Sequence, residues 1–347
     1  MNLKSESIGK LGDEEIIKYS VDNEKGLKVS ILNLGATITE IKTVDRNGEF
    51  EHIVLSYEDE KNYIENPSYY GATVGRTAGR IDKGKFTLND NEYILNKNYG
   101  VNSGHGGSVG FNKKIWNVNA IETEEKITLE FSYLSKDLEE GYPGNLEIKV
   151  SYEITEDNKL IFKIQGVSDK DTLMNITNHC YFNLSGDYKE DILNHTLKMN
   201  CDRFLAIDEN GGVTGEIIPV NNTEFDFIEE KKIGQDIEGS SKQMKLGYGY
   251  DHPFMFNENE KGNVELYHEK SGRYMKVTTE YPCVVVYSQN FIDGLVLKEG
   301  KETKKRNGIC LEVQYPPIGY NESFKEFSIL KAHEIFNKET IYEFGVK

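Results

Sequence analysis

Hydrophobic residues alternate with polar residues along much of the chain. In residues 145–155 (NLEIKVSYEIT) and 126–134 (KITLEFSYL), every second position is apolar, which is the spacing of a half-buried β-strand. Residues 159–164 follow the first of these runs after a short Glu-Asp-Asn turn, so the two runs predict a hairpin. Residues 85–95 predict a second hairpin with Asn-Asp-Asn at its tip, where left-handed backbone is tolerated.

Helical spacing is scarce. Residues 229–238 (EEKKIGQDIE) predict at most two helical turns, interrupted by Gly234. Strands recur about every ten residues without crossover helices, which excludes doubly wound and (β/α)8 folds. Twenty-one tyrosines, sixteen phenylalanines and only seven prolines are also typical of sheets. We therefore predict an all-β protein, a large antiparallel β-sandwich. Since no linker or repeat divides the chain, we expect one domain over residues 1–347.

Charge and composition narrow the class of partner. The 347 residues include 58 acidic and 41 basic side chains, a net charge of −17. Such a chain repels nucleic-acid phosphates and anionic membrane surfaces, so we expect a small, uncharged ligand. The N-terminal segment lacks the apolar stretch of a signal peptide, and no apolar run approaches the ~20 residues of a spanning helix. We expect a cytoplasmic protein whose four widely spaced cysteines are reduced and buried.

Several catalytic signatures are absent. There is no GxxxxGK[ST] loop, and neither glycine-rich stretch (residues 71–80 and 100–110) opens a helix after a predicted strand, which disfavours nucleotide binding. No two histidines have HExxH or HxH spacing, and no GxSxG elbow is present. We therefore expect no metal and no cofactor.

Two predicted strands carry polar side chains on one face. Residues 177–184 (TNHCYFNL) and 308–316 (GICLEVQYP) alternate polar and apolar positions, so that each strand has a polar face opposite an apolar one. These faces could line a polar groove, or could simply meet solvent. The polar sets are Thr177, His179, Tyr181 and Asn183 in the first strand, and Cys310, Glu312 and Gln314 in the second.

Two loops add candidate ligand-binding groups. His105 lies in the sequence Gly-His-Gly-Gly, where the glycines allow the backbone to approach a ligand closely. A flexible turn is the alternative interpretation. Asp251 begins the sequence Asp-His-Pro, and its carboxylate could bind a ligand or could cap a turn.

Taken together and in order, these segments resemble the aldose 1-epimerase, or galactose mutarotase, family. The ordered set spans residues 33–314. The resemblance implies a wide β-sandwich of the galactose mutarotase type, whose groove binds one pyranose and interconverts its anomers. The matching stretches are NLGATITEIKTVDRNGEFEHIVLSY, GATVGRTAGRI, NSGHGG followed by GFNKKIW, TNHCYFNLSG, YGYDHPF, YSQNFIDG and GICLEVQ.

The resemblance also implies roles for individual residues. Anomer exchange removes the proton of the anomeric hydroxyl, protonates the ring oxygen and opens the ring, so two positioned proton carriers suffice. An unperturbed glutamate is ionised at neutral pH and a histidine lies near its titration point, which suits a base and an acid. The matched residues are Glu312 as general base, His179 as general acid, Arg80, His105 and Asp251 as sugar ligands, and Tyr181 as a pocket-lining residue.

The chain departs from the family pattern around the sugar. Gly79 stands where members often have Asn before the arginine, and Val285 aligns with a Gln. Pro316, Pro317 and Ile318 replace a common Pro-Asp-Ala after the glutamate. Because Gly79 is small and two hydrogen-bond partners are lost, we expect weaker discrimination between hexoses and room for larger sugars.

Two alternatives remain at the level of sequence. The chain could be a carbohydrate-binding protein on the same sandwich without catalysis, although such a binder has no need for both Glu312 and His179. It could also be an epimerase for a disaccharide or a phosphorylated sugar. A phosphate would require several cations, and near the motifs we find chiefly Arg76 and Arg80. The expected state is a monomer or homodimer.

Overall fold

Strands make up almost all of the regular structure of the computed structural model, which describes residues 1–347. The first part of the chain contains β1 (Asn2–Leu11), β2 (Glu14–Asp22), β3 (Leu27–Leu32), β4 (Thr37–Val44), β5 (Phe50–His52), β6 (Thr73–Val74), β7 (Arg80–Ile81), β8 (Lys85–Leu88), β9 (Asn91–Ile94) and β10 (Ser103–Gly104). The middle part contains β11 (Asn117–Glu122), β12 (Lys126–Ser135), β13 (Leu146–Thr155), β14 (Lys159–Ser168), β15 (Thr172–Leu173), β16 (Thr177–Asn178), β17 (Tyr181–Phe182), β18 (Thr196–Met199), β19 (Cys201–Ile207), β20 (Val213–Pro219) and β21 (Lys231–Lys232). The last part contains β22 (Asp251–Phe256), β23 (Gly262–Tyr267), β24 (Arg273–Thr279), β25 (Cys283–Tyr287), β26 (Val296–Leu297), β27 (Lys301–Glu302), β28 (Ile309–Gln314), β29 (Ile329–Leu330) and β30 (Phe336–Val346).

Helices are few and short. The two α-helices are α1 (Lys242–Gly247) and α2 (Lys325–Ser328). Neither has the length and apolarity needed to cross a lipid bilayer. Single 3-10 turns occupy Glu60–Tyr63, Asp82–Gly84, Phe111–Lys113, Glu139–Gly141, Ile192–Asn194, Ile233–Gln235, Lys298–Gly300 and Tyr320–Glu322.

Three large sheets contain most of the strands. A five-stranded sheet has the order β1-β2-β3-β4-β5, a nine-stranded sheet β11-β12-β13-β14-β30-β24-β23-β18-β21, and a six-stranded sheet β17-β28-β25-β22-β19-β20. Neighbouring strands are antiparallel, as in β13 against β14 and β25 against β28. One core of 55 buried residues joins the three sheets, with Val29, Tyr152 and Leu311 as examples from each. The predicted all-β antiparallel architecture is confirmed, and the expectation of one domain stays a prediction.

The clearest sequence patterns became strands. Residues 126–134 and 145–155 form β12 and β13, which pair along their whole length. The hairpin of residues 85–95 is formed by β8 and β9, and Asn89 and Asp90 at its tip have φ of 50° and 61°. The four cysteines are free and buried, as expected.

The helical turns predicted for residues 229–238 are wrong. Lys231–Lys232 instead forms β21, which pairs with β18 at the edge of the nine-stranded sheet. Ile233 and Ile237 are both buried in the hydrophobic core. Residues Ile233–Gln235 form a 3-10 turn instead of an α-helix. Sheet pairing and burial therefore override the local helical spacing. The nearby helix α1 is capped by Ser241, whose hydroxyl accepts a hydrogen bond from the Met244 N–H.

Strand β28 divides the core from the candidate site. Ile309, Leu311 and Val313 point into the core. Because side chains alternate along a strand, the opposite face carries Cys310, Glu312 and Gln314.

Candidate active site

A cavity of about 360 Å³ opens over the six-stranded sheet. That volume lies within the range of small-molecule sites. All six residues that the sequence selected line this one cavity, although they come from five separate parts of the chain. They are Arg80, His105, His179, Tyr181, Asp251 and Glu312.

The strand predicted for residues 177–184 is interrupted at the site. It forms β16 and β17, and His179 lies in the break between them. Only His179 and Tyr181 of the predicted polar face reach the cavity. The Thr177 hydroxyl donates to the Val313 carbonyl at 2.9 Å, and the Asn183 amide donates to the Asn307 carbonyl at 2.7 Å. Thr177 and Asn183 on the polar face therefore bind neighbouring backbone, and His179 and Tyr181 line the cavity. The polar face does not meet solvent.

Glu312 is the buried carboxylate of the cavity. Its residue is 3% exposed, and one carboxylate oxygen, Oε2, has no hydrogen-bond partner. Val285 pairs with it on the neighbouring strand and lines the cavity beside it. Burial raises the pKa of the Glu312 carboxyl to about 8, with the Asp251 carboxylate adding to the rise and Arg80 opposing it.

His179 lies directly against this carboxylate. Its Nε2 is 3.5 Å from Glu312 Oε1, and its Nδ1 is 3.6 Å from Cys310 Sγ. Burial lowers the pKa of His179 to about 4, and the positive charge of Arg80 acts in the same direction. The expectation from unperturbed pKa values is therefore wrong. Both shifts disfavour the charged forms, so burial favours a neutral Glu312 carboxyl beside a neutral His179.

His105 occupies a closely packed, hydrogen-bonded loop. The residue has φ of 50°, and its N–H donates to the Gly79 carbonyl at 3.0 Å. At the next position, Gly106 has φ of 86° and a Cβ there would lie 1.7 Å from the Gly75 carbonyl oxygen. The His105 ring packs against Tyr69, with 4.9 Å between ring centroids. Burial, followed by His179 and Arg80, holds the pKa of His105 well below its usual value.

Arg80 and Asp251 form the charged wall of the cavity. Arg80 Nη2 lies 3.3 Å from Asp251 Oδ2, and Nη1 donates to the Gly211 carbonyl at 3.1 Å. Asp251 is the first residue of β22 and its carboxylate makes this ion pair, so it does not cap a turn. The two side chains present fixed donors and acceptors of the kind that bind sugar hydroxyls.

Comparison with known proteins agrees with this arrangement. The family model described as aldose 1-epimerase matches residues 18–343. The galactose mutarotase of Sus scrofa is 35% identical over 338 residues, which covers 96% of each chain. The chain belongs to the aldose 1-epimerase family. The aldose 1-epimerase of Haemophilus influenzae is 36% identical over 301 residues and covers 86% of each chain.

Solved structures give the same result for the fold. The galactose 1-epimerase from Lactobacillus acidophilus superposes with a TM-score of 0.90 at 28% identity, covering 100% of this chain and 99% of that one. The aldose epimerase homologue from C. elegans has a TM-score of 0.86 at 26% identity and covers 94% of this chain and 98% of that one. The family expected from the motifs is therefore confirmed, together with its fold.

Tyr181 lines the cavity of this aldose 1-epimerase family member with its ring, not with a free hydroxyl. The ring packs beside His179, with centroids 5.1 Å apart. Its hydroxyl donates to the Ser68 carbonyl at 3.0 Å.

The expectation of extra room at Gly79 is wrong. Gly79 has φ of 71°, and a Cβ on it would lie 2.7 Å from Pro317 Cγ. Pro317, one of the residues that depart from the family pattern, also lines the cavity and fills the space that Gly79 leaves. The second departure, Val285, does place an apolar side chain in the cavity lining beside Glu312.

Sequence reasoning missed several aromatic and polar residues of the cavity. Tyr69, in a left-handed backbone conformation with φ of 56°, and Tyr99 flank His105. Phe291 and Asp293 lie in the matched stretch YSQNFIDG but had been given no role. Asp293 accepts hydrogen bonds from the hydroxyls of Ser68, which also lines the cavity, and of the buried Tyr57. Their loops have no periodicity that could have marked them.

A metal is chemically compatible with three of these side chains. His105, His179 and Glu312 each offer one ligand atom, and these atoms lie within 4.8 Å of one another. Two neutral imidazoles and a carboxylate form a known zinc donor set. The Arg80 guanidinium beside the same carboxylate opposes a divalent cation. The expectation that no metal is required stays a prediction.

The burial of Glu312 predicts a pH-dependent stability difference. The folded protein holds the Glu312 proton up to about pH 8, whereas an unfolded glutamate releases it near its model value of 4.5. The contribution of Glu312 to wild-type stability should therefore fall as pH rises from 4.5 to 8, by at most about 1.4 kcal/mol per pH unit. Glu312→Gln removes this loss, so the variant should gain stability over wild type between pH 5 and pH 9 in thermal unfolding.

Glu147→Gln, on the exposed side of β13, is the matched control and should track wild type at every pH. An E312Q advantage that stays constant with pH contradicts the proposed burial of an uncharged carboxyl.

Proposed function

We propose that this chain is an aldose 1-epimerase that interconverts the α and β anomers of a hexopyranose such as galactose or glucose. The observation that carries the proposal is the buried pair of Glu312 and His179, 3.5 Å apart in a cavity of sugar-binding character. Membership of the aldose 1-epimerase family supports it.

Glu312 acts as the base and His179 as the acid. Moving the shared proton from Glu312 Oε1 to His179 Nε2 gives the carboxylate and imidazolium that the reaction requires. The carboxylate then takes the proton of the anomeric hydroxyl while Nε2 protonates the ring oxygen. The C1–O5 bond breaks and the C1 carbonyl forms, leaving an open-chain aldehyde. Rotation about C1–C2 and the reverse transfers close the ring as the other anomer.

The remaining side chains hold the sugar. Arg80, His105 and Asp251 surround the proton-transfer pair and offer hydrogen bonds to the other hydroxyls. The buried Oε2 of Glu312 and Nδ1 of His105 have no partner in the protein, so a bound sugar can satisfy them. Tyr181 supports His179 from the side.

The structure offers little to a phosphorylated substrate. Arg80 is the only lysine or arginine that lines the cavity. Arg76 is buried elsewhere and donates to the Pro143 carbonyl and the Ser135 hydroxyl at 2.8 and 2.6 Å. An uncharged sugar is therefore the proposed substrate. We also propose that the protein is soluble and cytoplasmic, and that it acts as a monomer or homodimer without a cofactor.

Substitution of the pair tests the proposed roles. Glu312→Gln keeps the shape but removes the base, so the rate of mutarotation should fall by about 10²–10⁴-fold. His179→Asn should reduce kcat more than His105→Asn, because only His179 contacts Glu312. Polarimetry of freshly dissolved α-glucose and α-galactose measures all three.

Sugar binding by calorimetry separates catalysis from the non-catalytic alternative. Wild type that binds but shows no mutarotation is a binding protein, and near-normal rates in E312Q remove Glu312 from the mechanism. A larger loss in H105N than in H179N exchanges the two histidine roles. Assays with and without EDTA should agree, because no metal is required.

The mechanism requires one proton on the pair of Glu312 and His179, so its rate should have a bell-shaped dependence on pH. Below about pH 4 both members are protonated and the base is lost. Above about pH 8 neither holds a proton and the acid is lost. Burial sets both limits, with the Arg80 charge acting on both groups and the Asp251 carboxylate acting on Glu312. We expect kcat/KM to be highest between them, and a profile that keeps rising above pH 9 contradicts the assignment.

Val285→Gln tests the proposed breadth of substrate. With Val285, no side-chain hydrogen bond distinguishes hexose epimers at this point, so wild-type kcat/KM for galactose and glucose should agree within about tenfold. The glutamine should lower KM for one epimer and leave kcat nearly unchanged, because it adds uniform binding. Val109→Gln, an exposed position, is the control. A strong wild-type preference for galactose that V285Q does not alter contradicts this account.

A further inference from the structure

Three side chains of the cavity also form a set of metal ligands. His105, His179 and Glu312 each contribute one ligand atom, and these three atoms lie within 4.8 Å of one another. The residues come from the loop after β10, from the break between β16 and β17, and from β28. All three are more than nine-tenths buried, with exposed fractions of 9%, 5% and 3%. The fold alone therefore brings the three ligands together.

The spacing of these ligand atoms suits zinc. Zinc binds imidazole nitrogen and carboxylate oxygen at about 2.0–2.2 Å, so two ligand atoms of a tetrahedral site lie about 3.3–3.5 Å apart. His179 Nε2 and Glu312 Oε1 already have this separation, 3.5 Å. The other separations are at most 4.8 Å, which exceeds the tetrahedral value by no more than about 1.5 Å. A small rotation of the His105 ring covers that difference.

Two polar atoms of the ligand set have no partner in the protein. Glu312 Oε2 and His105 Nδ1 are buried and make no hydrogen bond. The cavity lies on the remaining side of the three ligands. Three protein ligands with one open position are the arrangement of accessible zinc sites, in contrast to the four protein ligands of structural ones. A bound ion would therefore hold water in its fourth position.

The charges around the ligand set do not exclude a cation. Arg80 is the one basic side chain of the cavity, and its Nη2 lies 3.3 Å from Asp251 Oδ2. Once Glu312 is ionised, two carboxylates face the single charge of Arg80. Arg80 therefore weakens the binding of a divalent cation, while Asp251 compensates for it. The net charge of −17 also attracts cations to the protein.

We propose that His105, His179 and Glu312 bind a Zn²⁺ ion that inhibits the enzyme. The ion occupies the two atoms that exchange the proton. Glu312 Oε1 then cannot accept the proton of the anomeric hydroxyl, and His179 Nε2 cannot protonate the ring oxygen. The protein without zinc is the active form, and zinc and sugar exclude each other. Inhibition rests on the function proposed above, whereas zinc binding does not.

Calorimetric titration with ZnCl2 tests binding without an activity assay, on protein treated with EDTA and then freed of it. Wild type should bind one zinc ion per chain at this site, and MgCl2 should not compete, because Mg²⁺ prefers oxygen ligands. His105→Asn, His179→Asn and Glu312→Gln should each weaken binding by about tenfold or more. Even the partners behind a metal ligand contribute about that much to affinity.

Two control variants test for binding elsewhere. His333→Asn removes an exposed histidine outside the cavity. Glu190→Gln removes the carboxylate of a second histidine–glutamate pair, in which Glu190 Oε2 lies 3.8 Å from His268 Nε2. Both variants should bind zinc as wild type does.

Replacement of Arg80 should move the affinities for zinc and sugar in opposite directions. Arg80→Leu removes a sugar ligand, so galactose should bind more weakly. It also removes the positive charge beside the two carboxylates, so zinc should bind about three- to tenfold more tightly. Asp251→Asn should weaken the binding of both. In wild type, saturating galactose should lower the apparent zinc affinity, and ZnCl2 in the polarimetric assay should raise KM and leave kcat unchanged.

Four results overturn the proposal. Wild type that binds no zinc, or zinc binding that all three ligand variants retain, removes the metal site. Zinc that binds without competing with galactose, or that raises the rate, contradicts inhibition. Thermal unfolding without zinc identifies the variants that fold, and three separate ligands leave a test if one variant does not. Wild type without mutarotation contradicts the proposed function, while the zinc titration still decides the metal site.

Discussion

The withdrawal of the Glu312 carboxylate from water is the constraint on which the site depends. Its strand, β28, sends Leu311 and Val313 into the core, so Glu312 itself is fixed on the opposite side with Val285 beside it. Because nothing in the protein satisfies Oε2, the carboxyl retains its proton near neutral pH and becomes a strong base once it loses it. The same burial keeps His179 uncharged. Burial alone therefore makes Glu312 a proton donor and His179 a proton acceptor towards each other.

Packing holds the backbone of the walls around this pair in unusual conformations. Tyr69, His105 and Gly79 all have positive φ. Gly106 cannot accept a side chain, and the Asp293 carboxylate accepts a hydrogen bond from the Ser68 hydroxyl. Such features require the whole fold to over-determine them. They explain how loops without regular structure hold a site in one geometry.

Sequence could predict those features of the fold and site that depend only on neighbouring residues in the chain. Alternating apolar positions in β12, β13 and β28 identified strands and even the face that carries Glu312, because side-chain alternation is a local property. The break at His179 and the loss of the helix at residues 229–238 depend on partners distant in sequence. Protonation was predicted wrongly for the same reason, since the pKa shifts arise from burial. The matched motifs brought the six site residues together, but no pattern marked Tyr69, Phe291 or Asp293.

The contact between Gly79 and Pro317 has a consequence for how this cavity can change over generations. A side chain at position 79 collides with Pro317 and meets a left-handed backbone, so Gly79→Asn is harmful while the proline is present. Loss of the proline must come first, and it opens a gap in the wall until a larger residue fills it. The residues at positions 79 and 317 are therefore coupled: a side chain is tolerated at position 79 only after Pro317 has been replaced.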